Sequence, residues 1–236
     1  GQGTDTLTSI ESASLTGGAG ANTIDATAYT GPATIDGAGG NDTITGGSSA
    51  SSLSGGGGDD SITGGTGADS LDGGEGSDIL DGGDGSDTVS QTANANQTLT
   101  DTGLTGQGTD TLGNIETAVL TGGDGDNTID ASGFTGSATL SGGAGADVLT
   151  GGAGANTIDA SGFAAGSVTI DGGAGNDTLS GGTGNDSITG GEGTDQLSQT
   201  ANVDQTLTDA QATGQGTDGL ATIETASLTG GDGWRF

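Results

Sequence analysis

The chain has 236 residues, of which 56 are glycine, three are phenylalanine and only 28% are hydrophobic. This composition excludes the wide apolar core of an ordinary globular enzyme. Its 32 acidic residues face a single basic residue, Arg235, so the formal net charge is −31. Such a charge argues against nucleic acid or an anionic membrane as a partner, and it opposes compaction unless cations intervene.

The absence of several reactive residue types limits which metal sites and catalytic mechanisms are available to the chain. The chain contains no cysteine and no histidine, and its one basic residue is an arginine. It therefore has neither a disulfide framework nor a thiolate metal site. Nucleophilic and acid–base catalysis are left to carboxylates alone, and we expect that the chain is not an enzyme. No run of residues approaches the length of a transmembrane helix.

A long repeat runs through the chain. The phrase GQGTDTLTSIESASLTGGAG at residues 1–20 returns as GQGTDTLGNIETAVLTGGDG at 106–125 and as GQGTDGLATIETASLTGGDG at 214–233. We therefore predict a first cassette at residues 1–105, a second at 106–213 and the truncated start of a third at 214–236. Because the cassettes share one pattern, they are expected to form one continuous solenoid.

A shorter repeat of nine residues lies inside each cassette. GGGGDDSIT at residues 55–63 is followed by GGTGADSLD at 64–72 and GGEGSDILD at 73–81. Each copy contains a glycine-rich turn of six residues that ends in aspartate, followed by a strand of three residues. The glycine content and the lack of a 3.6-residue apolar period exclude helices. A disordered acidic tail would not need its aspartates in this fixed register.

This pattern predicts an all-β fold, a parallel β-roll or β-solenoid with about two nonapeptide half-coils per turn. Only the middle residue of each short strand points inward. The residues expected to form thin aliphatic columns are Ile44, Ile62, Leu71, Leu80 and Val89. The irregular segments TGQGTDTLG at 105–113 and ASGFTGSATLS at 131–141 are interpreted as variant half-coils, the second as a turn followed by a short strand.

Two nonapeptides per turn place residues 18 positions apart above one another, so Asp60 is expected to lie between Asp42 and Asp78, and Asp186 beside Asp204. Stacked carboxylates repel unless a hard cation lies between them. Ca²⁺ suits this arrangement because it accepts about six to eight oxygen ligands, including backbone carbonyls. We predict multiple Ca²⁺ ions, with the candidate ligands Asp42, Asp60, Asp69, Asp78, Asp87, Asp110, Asp147, Asp177, Asp186, Asp195, Asp204 and Asp218.

Four turns depart from the aspartate pattern. Asn22, Asn127 and Asn156 occupy the aspartate position, which keeps an oxygen but removes the charge. These sites are therefore expected to be weaker or empty. Ser51 occupies the same position in GGSSASSLS at 46–54, where we expect no ion to bind.

The tandem copies at residues 55–81, together with GGTGNDSIT at 181–189, resemble the RTX family of calcium-binding nonapeptide repeats. The resemblance covers most of the chain and is weak around residues 91–104 and 199–213. It implies a parallel β-roll, folding driven by calcium, and export from a bacterial cell by a one-step type I secretion machine that handles the unfolded chain. It also implies an extracellular or cell-surface location.

Two functional classes remain open at this point. The first is a structural repeat segment of a secreted adhesin, surface layer or extracellular filament, which the cassette periodicity favours. The second is a calcium-dependent folding and secretion domain of an extracellular enzyme or toxin. An ice-binding solenoid is a minor alternative. The expected partners are calcium ions and either further repeats of a parent chain or head-to-tail copies of this one, since an uncapped strand edge templates another strand.

Overall fold

The described residues form an all-β parallel β-solenoid of about nine turns with two sheets. The computed structural model describes residues 9–161, 167–201, 206–208, 210–213 and 217–230, and within these ranges there is no helix. No helix capable of crossing a membrane is therefore found in the described part of the chain. The chain divides into two compact units, one of residues 1–89 with 113–115 and the other of residues 90–112 with 116–236.

The strands up to residue 92 follow the nonapeptide repeat closely. In chain order they are β1 (Ala13–Gly18), β2 (Thr23–Asp25), β3 (Ala33–Ala38), β4 (Thr43–Thr45), β5 (Ser52–Gly57), β6 (Ser61–Gly65), β7 (Ser70–Glu75), β8 (Ile79–Gly83) and β9 (Thr88–Thr92). The odd-numbered strands pair in parallel as one sheet, and β2, β4, β6 and β8 pair in parallel as another. Consecutive strands therefore alternate between the two sheets.

The remaining strands continue this alternation with two interruptions. They are β10 (Gln97–Thr100), β11 (Gly103–Thr105), β12 (Thr109–Gly113), β13 (Thr117–Thr121), β14 (Thr128–Gly133), β15 (Ser137–Ser141), β16 (Val148–Thr150), β17 (Thr157–Asp159), β18 (Thr169–Asp171), β19 (Thr178–Ser180), β20 (Ser187–Thr189), β21 (Gln196–Ala201), β22 (Thr206–Thr208), β23 (Gln211–Thr213), β24 (Thr217–Ala221) and β25 (Thr225–Gly230).

Each interruption is a small antiparallel meander. β10, β11 and β12 pair antiparallel in sequence, and so do β22, β23 and β24. The interpretation of residues 105–113 as a variant half-coil is therefore wrong. The chain reverses at Asp101 and Thr102, and again around Gly106, whose φ of 147° is accessible to glycine.

The segment at residues 131–141 is a turn followed by a short strand, as predicted. The turn lies at the end of β14, where Phe134 donates its backbone N–H to the carbonyl of Ala131, three residues back, at 2.9 Å. Phe134 itself is buried. The strand is β15, which pairs in parallel with β13.

The core consists of single columns of aliphatic side chains, as the sequence predicts. In the first unit Ile44, Ile62 and Leu80 stack in register across β4, β6 and β8 and are at most 1% exposed. The matching column on the other sheet consists of Leu53, Leu71 and Val89. Because each strand contributes so few buried side chains, hydrophobic burial per residue is small for a domain of this length.

The columns give a direct test of packing. Ile62→Ala removes a fully buried side chain and should lower the free energy of unfolding in saturating calcium by about 2–5 kcal/mol. Ile79→Ala removes the same atoms from the next strand of the same sheet, where the side chain is 56% exposed, and should change it by less than about 0.5 kcal/mol. Urea unfolding of both variants checks this, and equal losses would contradict the assigned columns.

Candidate metal centre

The repeat aspartates form a ladder along one edge of the first unit. The backbone N–H of Asp42 donates to Oδ1 of Asp60 at 2.7 Å, and that of Asp60 donates to Oδ1 of Asp78 at 2.8 Å. On the other edge the N–H groups of Ser51 and Asp69 donate to Oδ1 of Asp69 and Asp87, both at 2.7 Å. The predicted stacking of residues 18 positions apart is confirmed in this unit.

The second unit repeats the ladder with altered spacing. Asp177 donates its N–H to Oδ1 of Asp195 at 2.9 Å, again 18 residues on. Asn127 donates to Oδ1 of Asp147 at 2.7 Å across 20 residues, because this coil is two residues longer. The ladder therefore tolerates insertions between turns while it preserves the contact between a backbone N–H and a carboxylate.

The second carboxylate oxygen has no such partner. Oδ2 is buried and accepts no hydrogen bond at Asp42, Asp60, Asp69, Asp147, Asp177, Asp186 and Asp195. A buried polar atom without a partner is costly, and an ionised carboxylate oxygen more so than a neutral group. These atoms therefore need a positively charged partner or a proton.

Backbone carbonyl oxygens lie beside these Oδ2 atoms. A Cβ placed on Gly55 would clash with Oδ2 of Asp60 and lie 2.6 Å from the carbonyl oxygen of Gly73. A Cβ on Gly37 would meet Oδ2 of Asp42 and the carbonyl of Gly55 in the same way. Only glycine leaves room for this approach, which accounts for the first glycine of the repeat. The result is a cluster of oxygen atoms in which each unpartnered Oδ2 lies beside a backbone carbonyl oxygen.

This donor set fits calcium. Among the described residues no three acidic side chains converge on one point. Each candidate site instead combines one carboxylate with backbone carbonyls, the hard neutral oxygens that Ca²⁺ accepts readily and in large number. Zinc and copper would require nitrogen or sulfur ligands that the chain lacks.

Burial perturbs the acidity of the ladder. It raises the pKa of Asp177 and of Asp186 from 3.8 to about 6, and nearby carboxylates add to the effect. Burial likewise raises the pKa of Asp60, Asp69 and Asp147, while the backbone N–H that each accepts acts in the opposite direction. Burial therefore shifts these five carboxyl groups toward the protonated form, relative to an exposed aspartate, when no cation is bound.

Three of the predicted ligands, Asp110, Asp186 and Asp218, lie in or near the meanders. Asp186 donates its N–H to Oδ1 of Asp218 at 3.1 Å, 32 residues away, because the meander is inserted between them. Oδ2 of Asp218 accepts from Nε2 of Gln199 at 3.0 Å. Asp110 is buried in β12. Asp204 lies outside the described residues. All twelve aspartates remain predicted ligands.

The same region contains two side-chain contacts to aspartates that the nonapeptide pattern does not predict. Besides Gln199, Glu224 takes the aspartate role at the end of a ladder, where its Oε2 accepts the N–H of Asp195 at 2.8 Å. Its position in the long repeat was a usable signal, because a glutamate recurs there as Glu11 and Glu116. Gln199 recurs in the same way as Gln91, and the two lie 19 residues before Asp218 and Asp110 respectively.

The substituted turns are closed by their own side chains in different ways. Ser51 donates its hydroxyl to the carbonyl of Ser49 at 3.0 Å. Asn22 and Asn127 use Oδ1 to accept the N–H of Gly18 and Gly123, at 2.7 and 2.8 Å. Their reduced calcium binding stays a prediction, as does the vacancy at Ser51.

Comparison with known proteins agrees with this geometry. The family model described as RTX calcium-binding nonapeptide repeat (4 copies) matches residues 14–28, 27–50, 54–89, 113–133, 132–164 and 169–198. These segments make up more than half of the chain and include every aspartate with a buried, unpartnered Oδ2 named above.

Matches to individual proteins are distant. No curated protein gives a significant sequence match. Among solved structures, the crystal structure of the extracellular lipase LipA from Serratia marcescens is similar at a TM-score of 0.31 and 21% sequence identity. The match covers 83% of this chain, which spans only 38% of the lipase chain.

Substitution of two adjacent aspartates distinguishes the effect of a buried ladder carboxylate from the effect of surface charge. Asp60→Ala removes a buried carboxylate with an unpartnered Oδ2, whereas Asp59→Ala removes an exposed one whose Oδ1 accepts the N–H of Ser77. Both lose one charge. We expect Asp60→Ala to bind at least one calcium ion fewer than the unmodified chain and Asp59→Ala to bind the same number. Isothermal titration calorimetry measures both, and equal stoichiometries in the two variants would refute the ladder site.

The raised pKa values predict a pH response in the absence of calcium. A carboxyl group whose pKa is higher in the folded chain favours folding below its unfolded pKa of 3.8, and this contribution is lost as the pH rises to about 6. In excess chelator, β-sheet circular dichroism should therefore increase as the pH falls through this window. Asp177→Asn combined with Asp186→Asn should reduce this pH dependence. A β-sheet signal that decreases on acidification would contradict the prediction.

Proposed function

We propose, on the premise that this chain belongs to the family of RTX calcium-binding nonapeptide repeats, that it is a structural segment of a secreted bacterial surface protein. Such a segment, in an adhesin, a surface layer or an extracellular filament, folds when calcium binds after export. The observation that carries the proposal is the row of buried Oδ2 atoms beside carbonyl oxygens, because it couples the fold to a cation.

The residues of the ladder explain why folding waits for calcium. Each Oδ1 holds the backbone of the neighbouring turn in register, but this places the paired Oδ2 out of contact with water. Calcium supplies the positive charge that these oxygens and the carbonyls lack. Extracellular calcium modules bind with dissociation constants of about 10⁻⁴–10⁻³ M, so the ladder would stay unfilled at cytosolic calcium levels and fill outside the cell.

The residue types present and the contacts of the buried carboxylates favour a structural role over catalysis. The buried carboxylates are engaged in the ladder, and the sequence has no histidine, cysteine or lysine to act as nucleophile or base. The alternative role is that of a folding and secretion domain attached to an extracellular enzyme or toxin. Further cassettes in the parent polypeptide would favour the structural role, whereas an adjoining hydrolase or pore-forming domain would favour the alternative.

Ice binding is disfavoured by the outward residues of the first unit. A flat array of threonine would be expected on an ice-binding face. Instead Ile79 aligns with Ser61 across β6 and β8, and Asp81 aligns with Thr63. An exposed isoleucine and a carboxylate interrupt the hydroxyl columns.

Calcium-dependent folding is tested by titration of the chain from excess chelator into calcium. At calcium concentrations of about 0.1–1 mM, we expect the circular dichroism spectrum to change from that of a disordered chain to that of a β-rich one. The hydrodynamic radius should fall over the same range. Magnesium at the same ionic strength is the control and should fold the chain poorly, because it dehydrates reluctantly and demands octahedral geometry. An equally β-rich chain in excess chelator at neutral pH would contradict the proposal.

A further inference from the structure

Asn156 differs from the other residues at the aspartate position because its side chain supplies donors to the carbonyl pocket. Its Nδ2 donates to the carbonyl oxygens of Gly154 at 2.8 Å, Gly172 at 3.1 Å and, more weakly, Gly152 at 3.4 Å. Two of these carbonyls belong to its own turn and one belongs to a later coil of the solenoid. Asn156 is 2% exposed, so these bonds are shielded from water.

The amide nitrogen of Asn156 occupies the place that Oδ2 takes in an aspartate turn. A Cβ built on Gly151 would lie 2.8 Å from Nδ2 of Asn156 and would also clash with the carbonyl of Gly172. A Cβ built on Gly172 would lie 2.5 Å from Oδ2 of Asp177 and would clash with the carbonyl of Gly190. The two turns thus share one geometry, but in the first a donor faces the carbonyls and in the second an acceptor does.

The backbone ladder passes through Asn156 without interruption. Its Oδ1 accepts the N–H of Ala138 at 3.0 Å, and its own N–H donates to Oδ1 of Asp177 at 2.7 Å. The carboxamide therefore performs the register function of the aspartate and also satisfies the carbonyl oxygens. The carbonyl oxygens that face the side chain thus accept a donor, and the side chain itself carries no charge for a cation to neutralise.

Gln97 gives an independent example of the same arrangement. It lies two residues before the buried Leu99, as each ladder aspartate lies two residues before its buried aliphatic residue. Its Nε2 donates to the carbonyl oxygens of Thr121 at 2.8 Å and Ala93 at 3.4 Å. Ala93 lies four residues before Gln97, just as Gly152 lies four residues before Asn156. Its Oε1 accepts from Nε2 of Gln91 at 2.9 Å.

We propose that the carboxamide of Asn156 takes the place of a bound calcium ion, so that this turn closes without metal between turns that require it. The inference rests on the proposed function, since it assumes that the aspartate turns bind calcium. It goes beyond a weakened site, because the amide donates to the same kind of carbonyl that borders Oδ2 in the neighbouring aspartate turn. The solenoid would thus contain one turn that closes without calcium because the sequence places asparagine at position 156.

The test counts calcium ions in two reciprocal variants of the full chain by native mass spectrometry at saturating calcium. Asn156→Asp replaces the donor by an acceptor and should bind one ion more than the unmodified chain. Asp177→Asn makes the opposite change in the neighbouring turn of the same ladder and should bind one ion fewer while it remains folded. Circular dichroism in calcium confirms the fold of each variant.

Several outcomes would overturn the proposal. The first is an Asn156→Asp chain that folds and binds the same number of ions as the unmodified chain. If that variant does not fold, an unchanged count in Asp177→Asn has the same meaning. Loss of folding in both variants would show that a carboxamide and a carboxylate with its ion are not interchangeable. An unmodified chain that binds no calcium would refute the proposed function instead, so the two failures are distinguishable.

Discussion

The structure depends on one interaction, the acceptance of a backbone N–H by a buried carboxylate of a later turn. That bond sets the register between coils at both edges of the first unit, through Asp60 and Asp69. It also removes the carboxylate from water while only one of its oxygens is satisfied. The stability of the fold is therefore coupled to whatever occupies the space beside Oδ2, and the raised pKa values of Asp177 and Asp186 reflect the same unmet requirement.

The thin core makes this coupling decisive. A strand that buries a single aliphatic side chain, such as Ile62 in one column, contributes only about 2–3 kcal/mol of burial against the entropy of ordering a glycine-rich coil. With a formal net charge of −31, the chain also repels itself. Cation binding would compensate for both the small apolar core and the charge repulsion, because a bound cation neutralises carboxylates and links adjacent turns. Where an amide replaces the carboxylate, as at Asn156, the local requirement is absent.

Strict repetition made most of the fold predictable from the sequence. The two periods of nine and 18 residues place Ile44 in the core and Asp60 between two other aspartates, because a stacked coil has few degrees of freedom. Prediction failed where the repeat is interrupted. Because of the second antiparallel meander, the partner of Asp186 is Asp218, 32 residues on, and not a residue at the repeat spacing of 18. The donor role of Asn156 depends on the orientation of its amide, which residue type alone does not specify, as the opposite use of Asn127 demonstrates.

We predict that the unpartnered Oδ2 atoms of the ladder bind the calcium ions. Anomalous diffraction at long wavelength from crystals of the calcium-loaded chain locates calcium directly and independently of folding assays. Anomalous peaks are expected within coordination distance of Oδ2 at Asp42, Asp60, Asp69 and their counterparts in the second unit, each shared with backbone carbonyls. Peaks confined to exposed carboxylates such as Asp59, with none beside the buried ladder, would contradict it.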